Sequence, residues 1–445
     1  MKTHSIAAII AGLFSISAAA QVSNVPSRQD LNQEMVNQEP DGQTAFAEPE
    51  TIVLGSNLGI TEPADSAAVA NAFLRFAREK KGCVAFLGGS ITAMTGWREM
   101  TKEELQKRFP QTEFDFIEAG IPSLGSTPHA FRLYNDVLSK ATPDLLFVEA
   151  AVNDDTNEFT GIEQIRGMEG IVRHCLKANP LMDIVMLQFI YEPFIPLLEK
   201  GDMPEVIVNH EKVASHYGIA SINCAKEISA RMQAGELTWE AFGGTHPLPL
   251  GHRYYAAAIG RLFDRCIAGS CEAEVLSGAA DDAGAGSEQH AAGLTIKAHP
   301  MPAAMDGFCY EYGKFVVIKK ARLHGNFRYV QDWEPTVRPA NTRPGFVHVP
   351  FLETTGGEAS LTFRFKGRAV GIFCVAGPGA GVLQYSIDGG EYQEVNTYTR
   401  WSRKLYLPWV YMLAQDLSKG HHTLRLKIKS GDRMDCQIRN FVVNE

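Results

Sequence analysis

Between Asp65 and Ser270, short apolar runs rich in Val, Ile and Phe alternate with amphipathic stretches of helical length, and this alternation leaves few folds open. Such runs suit strands buried on both faces and the stretches between them suit crossover helices, so the region predicts a parallel sheet flanked by helices. The expected strands are Cys83 to Leu87, Phe114 to Glu118, Leu145 to Ala150, Ile184 to Ile190 and Ile219 to Asn223. Ligands of open α/β sheets bind beyond the carboxyl ends of the strands, so the residues just after each run are where chemistry is to be sought.

The rest of the chain divides by composition. Residues 1–20 open with Met1-Lys2, continue through an apolar run from Ile6 to Ile16 and end in Ala18-Ala19-Ala20, the pattern of a cleaved secretory signal. The apolar run is short for a bilayer span and no cysteine follows it to carry a lipid, so a secreted or periplasmic protein without membrane insertion is expected. Residues 21–60 are polar and lack an apolar period, as in a flexible extension. The α/β domain takes residues 61–271, and residues 272–293, rich in Ala, Gly, Asp, Ser and Glu, read as a linker. From 294 to 445 the pattern changes to strands, among them Leu361 to Phe365, Val370 to Val375, Val382 to Ile387 and Thr423 to Ile428, with Asp388-Gly389-Gly390 as a tight hairpin turn. A second, all-β sandwich domain of jelly-roll or immunoglobulin-like type is expected.

A formal net charge of −9 argues against nucleic acid or polyphosphate as partners, which require a basic face. The eight cysteines are scattered without the paired short spacings of a zinc site, so neither a metal nor a cofactor is expected. Cys266 and Cys271 are close enough in sequence for a small disulfide; the others sit in apolar runs and read as buried hydrophobes.

Three strand exits and one helix entrance carry the candidate chemistry. The first strand ends in Leu87-Gly88-Gly89-Ser90, where two small residues allow a sharp turn that delivers a hydroxyl to the sheet edge. The second leads to Gly125, where a backbone NH can approach a ligand oxygen, and the third to Asn153, an amide at the same edge. Late in the region comes Gly243-Gly244-Thr245-His246-Pro247, just before an amphipathic helix that begins near Pro249. A loop histidine after three other edge signals, in this order, suits a base for the Ser90 hydroxyl.

Together these blocks resemble those of the SGNH, or GDSL-like, hydrolases over about residues 80 to 265. The resemblance implies a flavodoxin-like sheet, a serine esterase with Ser90 as nucleophile and His246 as base, and an oxyanion hole from Ser90, Gly125 and Asn153. Two positions depart from the family pattern: Gly89 stands where aspartate is commoner, and Gly243 stands where the family has the aspartate that orients the histidine. Losing an orienting acid costs a serine protease several powers of ten in rate. Glu192, Glu118, Glu149, Asp154 or a backbone carbonyl is therefore expected to serve instead. Trp97, Arg98, His129 and Arg132 follow the Ser90 and Gly125 blocks and are candidates to line a substrate pocket. His252 is expected to make a structural hydrogen bond.

An appended sandwich rich in aromatics, of the kind found beside such domains in exported polysaccharide-processing esterases, implies an acylated glycan as substrate. Two contrasting readings remain: a carbohydrate-binding protein on a degenerate hydrolase scaffold, and a lipase or thioesterase.

Overall fold

The computed structural model describes residues 60–61, 68–267, 296–337 and 340–445. The signal segment 1–20, nearly all of the extension 21–60, the linker 272–293 and Cys271 lie outside the described residues, and so does any Cys266–Cys271 pairing. Cys175, Cys224, Cys309, Cys374 and Cys436 are buried. No helix among the described residues is long and apolar enough to cross a membrane.

The first sheet consists of β1 (Ile60–Thr61), β2 (Lys81–Gly88), β3 (Glu113–Gly120), β4 (Leu145–Glu149), β5 (Asp183–Leu187) and β6 (Ala220–Ile222), in the order β1-β6-β5-β4-β2-β3. All neighbours are parallel except β1, which runs antiparallel to β6. Every residue of β4 and β5 is buried, as their unbroken apolar runs require of strands with helices on both faces. The chain leaves β2 for β3 on one side and returns to β4 on the other. That reversal opens a crevice at the carboxyl ends of β2 and β4, as in flavodoxin-like sheets.

β5 stops at Leu187, short of the expected Ile190. Phe189 and Ile190 are buried off the ladder, and the Phe189 ring stacks on Tyr255 of helix Pro249–Cys266 with centroids 4.1 Å apart. The apolar run thus records burial rather than strand length.

The all-β region has two sheets. One contains β7 (Gly313–Val316), β9 (Arg328–Trp333), β10 (Asn341–Thr342), β11 (Val349–Thr355), β13 (Ala369–Ala376), β16 (Leu405–Ala414) and β18 (Asp435–Asn444); the other contains β8 (Arg322–Gly325), β12 (Ala359–Gly367), β14 (Val382–Ile387), β15 (Gln393–Asn396) and β17 (Gly420–Ile428). Pairing is antiparallel except between β10 and β16. Asp388 and Gly389 both take positive φ, +53° and +79°, as a two-residue turn between β14 and β15 demands.

Between the sheets lies a core of Leu361, Phe363, Val370, Ile372, Cys374, Leu424 and Phe441. β13 is buried along its whole length because its other face, with Phe373 and Val375, shares a second core with Leu146, Met168 and Val172 of the α/β region. The sandwich therefore packs on the helical layer through continuous apolar contact, supported by ion pairs such as Arg173–Glu311 at 2.6 Å.

Candidate active site

β2 ends at Gly88, and Ser90 begins a short helix, Ser90–Ala93, with Gly89 as its cap. The glycines are required by close approach rather than by unusual φ. A Cβ at Gly88 would fall 2.2 Å from Thr92 Oγ1 and 2.3 Å from Glu149 Oε1, and one at Gly89 would fall 2.0 Å from Asn153 Oδ1. Glu149, at the end of β4, accepts hydrogen bonds from the Gly89 NH at 2.5 Å and the Thr92 hydroxyl at 2.7 Å, and so ties the serine turn to the neighbouring strand. Burial raises the Glu149 carboxyl above its ordinary pKa, against the pull of those two donors.

His246 lies in the loop between helices Trp239–Phe242 and Pro249–Cys266, and its Nε2 is 2.8 Å from Ser90 Oγ. Burial, with the nearby positive charge of Arg343, pulls its pKa down to about 4. Gly243 ends the preceding helix in the left-handed region, φ +105°, and a Cβ there would fall 2.1 Å from the Leu248 backbone nitrogen. An aspartate does not fit that backbone, which gives the missing acid a steric reason.

None of the four expected substitutes bonds to His246. Glu149 is engaged at the serine turn. Glu118 pairs with Arg98 at 3.2 Å and with Lys102. Asp154 accepts from the Ser126 NH at 2.7 Å and lies 3.0 Å from His210 Nε2, both groups fully buried. Glu192 starts a 3-10 turn after β5 with its Oε2 buried and without a partner among the described residues. Ser90 is the only hydrogen-bond partner of the His246 ring among the described residues.

Gly125 caps helix Ser126–Leu133, and Asn153 lies in the first turn of helix Ala151–Thr156. Asp154 connects them: a Cβ on Gly125 would fall 2.1 Å from its Oδ1. The Leu124 carbonyl also approaches the Gly89 position, so the loop before Gly125 lies against the serine turn. The buried Asn153 amide makes no hydrogen bond among the described residues.

Trp97, Arg98, His129 and Arg132, the candidates for lining a pocket, are all buried. Trp97 Nε1 donates to the Ile91 carbonyl at 3.3 Å and Arg98 Nη1 to the Thr92 carbonyl at 2.8 Å, bracing the helix that carries Ser90. Arg132 donates to the Ala119 and Gly88 carbonyls at 2.6 and 3.2 Å and to His129 Nδ1 at 3.1 Å, beneath the sheet edge. His252 lacks the expected bond, since both ring nitrogens are buried without partners among the described residues. Burial lowers its pKa to about 4.

Arg343 carried no signal in the sequence, because only the tertiary fold brings the segment after β10 to residues 121–125. Among the described residues no group of three or more His, Cys, Asp or Glu is arranged to hold a metal ion.

A doubly wound sheet with a hydrogen-bonded Ser–His pair at its switch point defines the class of this domain. Residues 86–254 match the model of the GDSL-like lipase/acylhydrolase family. A comparison with curated proteins gave no match. Among solved structures, the chain is similar to a two-domain esterase active on acetylated mannans, determined alone and co-crystallised with mannopentaose. Each of those structures shares 18% identity over 87% of this chain and 97% of that one, with a TM-score of 0.66. An α/β hydrolase, LAE5, from the metagenome of Lake Arreo, Spain, aligns over 42% of this chain and 96% of that one, with 18% identity and a TM-score of 0.36. At this identity the likeness to the two-domain esterase is one of fold, and it extends across both regions of the chain.

Proposed function

We propose that this chain is an exported carbohydrate esterase that removes acetyl or other small acyl groups from a polysaccharide, with Ser90 as nucleophile and His246 as general base. The observation that carries the reading is the 2.8 Å hydrogen bond between His246 Nε2 and Ser90 Oγ at the switch point of the sheet. His246 takes the Ser90 proton as Oγ attacks the ester carbonyl carbon. The carbonyl oxygen becomes an oxyanion, held by the Ser90 and Gly125 NH groups and the Asn153 amide. Collapse expels the sugar alkoxide, which takes the proton from His246. Water, deprotonated by the same ring, then releases the acid and restores the serine.

A glycan substrate is supported by the two-domain likeness to an esterase active on acetylated mannans, and export by the signal pattern of residues 1–20. The decisive assay is hydrolysis of p-nitrophenyl acetate and release of acetate from acetylated mannan by purified protein. Wild type is expected to act on both and a folded Ser90→Ala variant on neither; an active variant would sink the assignment. A protein that binds mannan without releasing acetate from it would instead be a glycan-binding module on a hydrolase scaffold.

A further inference from the structure

Ser123 is a non-glycine residue in the left-handed region, φ +75°, two positions before Gly125. Such a backbone costs free energy and persists only where its surroundings hold it. Ser123 is held from two sides. Asn157 Nδ2 donates to its carbonyl at 3.0 Å from within the α/β region, while Arg343 Nε and Nη2 donate to its Oγ at 3.2 and 2.9 Å from the sandwich. Arg343 is itself fixed, because it directly follows β10, which pairs with β16 and whose Thr342 hydroxyl donates to the Tyr406 carbonyl at 2.8 Å. No carboxylate pairs with the guanidinium among the described residues, although it is mostly buried. A fork of donors spent on one neutral hydroxyl is an expensive use of arginine unless that hydroxyl's position matters.

The sandwich grips the other oxyanion element as well. Arg400, stacked over Trp401 at 4.1 Å, donates to the Thr156 carbonyl at the end of the helix that carries Asn153.

We propose that Arg343 is a positioning residue of the acyl-transfer site, pinning Ser123 so that the loop presents the Gly125 NH to the developing oxyanion, and that the sandwich is thereby part of the catalytic apparatus. This rests on the Ser90–His246 esterase reading above. A domain that only captured glycan would leave the turnover of a small sugar-free ester untouched.

The test therefore uses p-nitrophenyl acetate and the full chain. Arg343→Ala, Arg343→Lys and Ser123→Ala are each expected to lower kcat about tenfold or more with KM little changed, since small displacements of a positioned donor cost this much. Combining Arg343→Lys with Ser123→Ala should add little to either alone. Charge gives a second readout. The charged group that bears on His246 is Arg343 from the sandwich; the titratable His252 of helix Pro249–Cys266 lies near it, with Glu99 of helix Trp97–Arg108 beyond His252. Removing the Arg343 cation lets the imidazole take up its proton at higher pH, so the acid limb of kcat/KM moves up in Arg343→Ala and stays in place in Arg343→Lys and Ser123→Ala. Wild-type kcat in all three variants, or losses confined to KM, would overturn the proposal while leaving the esterase reading intact. An active Ser90→Ala control would instead remove the reading on which the proposal rests.

Discussion

His246 Nε2 meets Ser90 Oγ at 2.8 Å across 156 positions of sequence, with no acid bonded to the imidazole among the described residues. In a Ser-His-Asp triad the carboxylate favours the imidazolium, whereas here burial and Arg343 favour the neutral ring and bring its pKa to about 4. In the proposed role of base, the ring is therefore available well below the ordinary histidine value of 6.5. Initial rates of p-nitrophenyl acetate hydrolysis measured against pH should show the acid limb of kcat/KM near pH 4, with a plateau above it. A limb centred at or above 6.5 would contradict the environment assigned to His246.

Restoring the family's acid by Gly243→Asp should fail. The substitution puts a side chain on a left-handed backbone and a Cβ 2.1 Å from the Leu248 nitrogen, at the turn that presents His246. The expected result is a lower melting temperature together with reduced kcat, because the loop must shift to make room. Higher activity, with the His246 limb moved toward 6.5, would mean that the loop adapts and a triad can be rebuilt.

Asn153 and Gly89 are coupled through space. Removing one oxyanion donor typically costs about 3 kcal/mol of barrier, so in the role proposed for it Asn153→Ala should lower kcat about a hundredfold with little effect on stability. Gly89→Ala should act in the same direction without touching the amide chemically, since its Cβ would land 2.0 Å from Asn153 Oδ1 and displace it. In the double variant the two losses should not add, because both act through the same donor. Additive losses measured on p-nitrophenyl acetate would separate Gly89 from Asn153.

What could be read in the sequence was governed by local pattern, and what could not was governed by packing. β2 and β4 were legible because each is a short apolar run followed at once by a small or polar residue at the crevice. The same signal overran at β5, where Phe189 and Ile190 are apolar for the sake of Tyr255 and its helix. Ser90, Gly125, Asn153 and His246 could be picked out as a set because each lies in the first turn of a helix or within three residues before one, and the fold gathers all four around the carboxyl ends of β2 and β4. Arg98 and Arg132 drew notice because a charged side chain after a strand exit suggests a ligand; what the fold adds is that theirs donate to main-chain carbonyls at the sheet edge. Arg343 was invisible for the opposite reason. Nothing local distinguishes it from other arginines, and its partner Ser123 lies 220 positions away.

His252 makes an acid-sensitive weak point in the fold beside His246. Its ring is buried with neither nitrogen hydrogen-bonded among the described residues, and its Cγ would stand 2.3 Å from a Cβ on Gly96, so the site has closed tightly around a neutral imidazole. Burial takes its folded pKa from 6.5 to about 4. An unfolded chain therefore binds a proton at pH 5 that the folded chain refuses. The stability tied to this group is complete above 6.5, declines as the pH falls and is gone near 4, a loss on the order of 3 kcal/mol for a shift of this size. His246 adds a loss of the same sign over the same range, so wild type should lose stability on acidification from both. His252→Leu keeps most of the volume and removes one of the two titrations. Urea unfolding midpoints should then fall less between pH 7 and pH 4.5 for the variant than for wild type, and equal falls would mean that His252 is protonated in the folded protein.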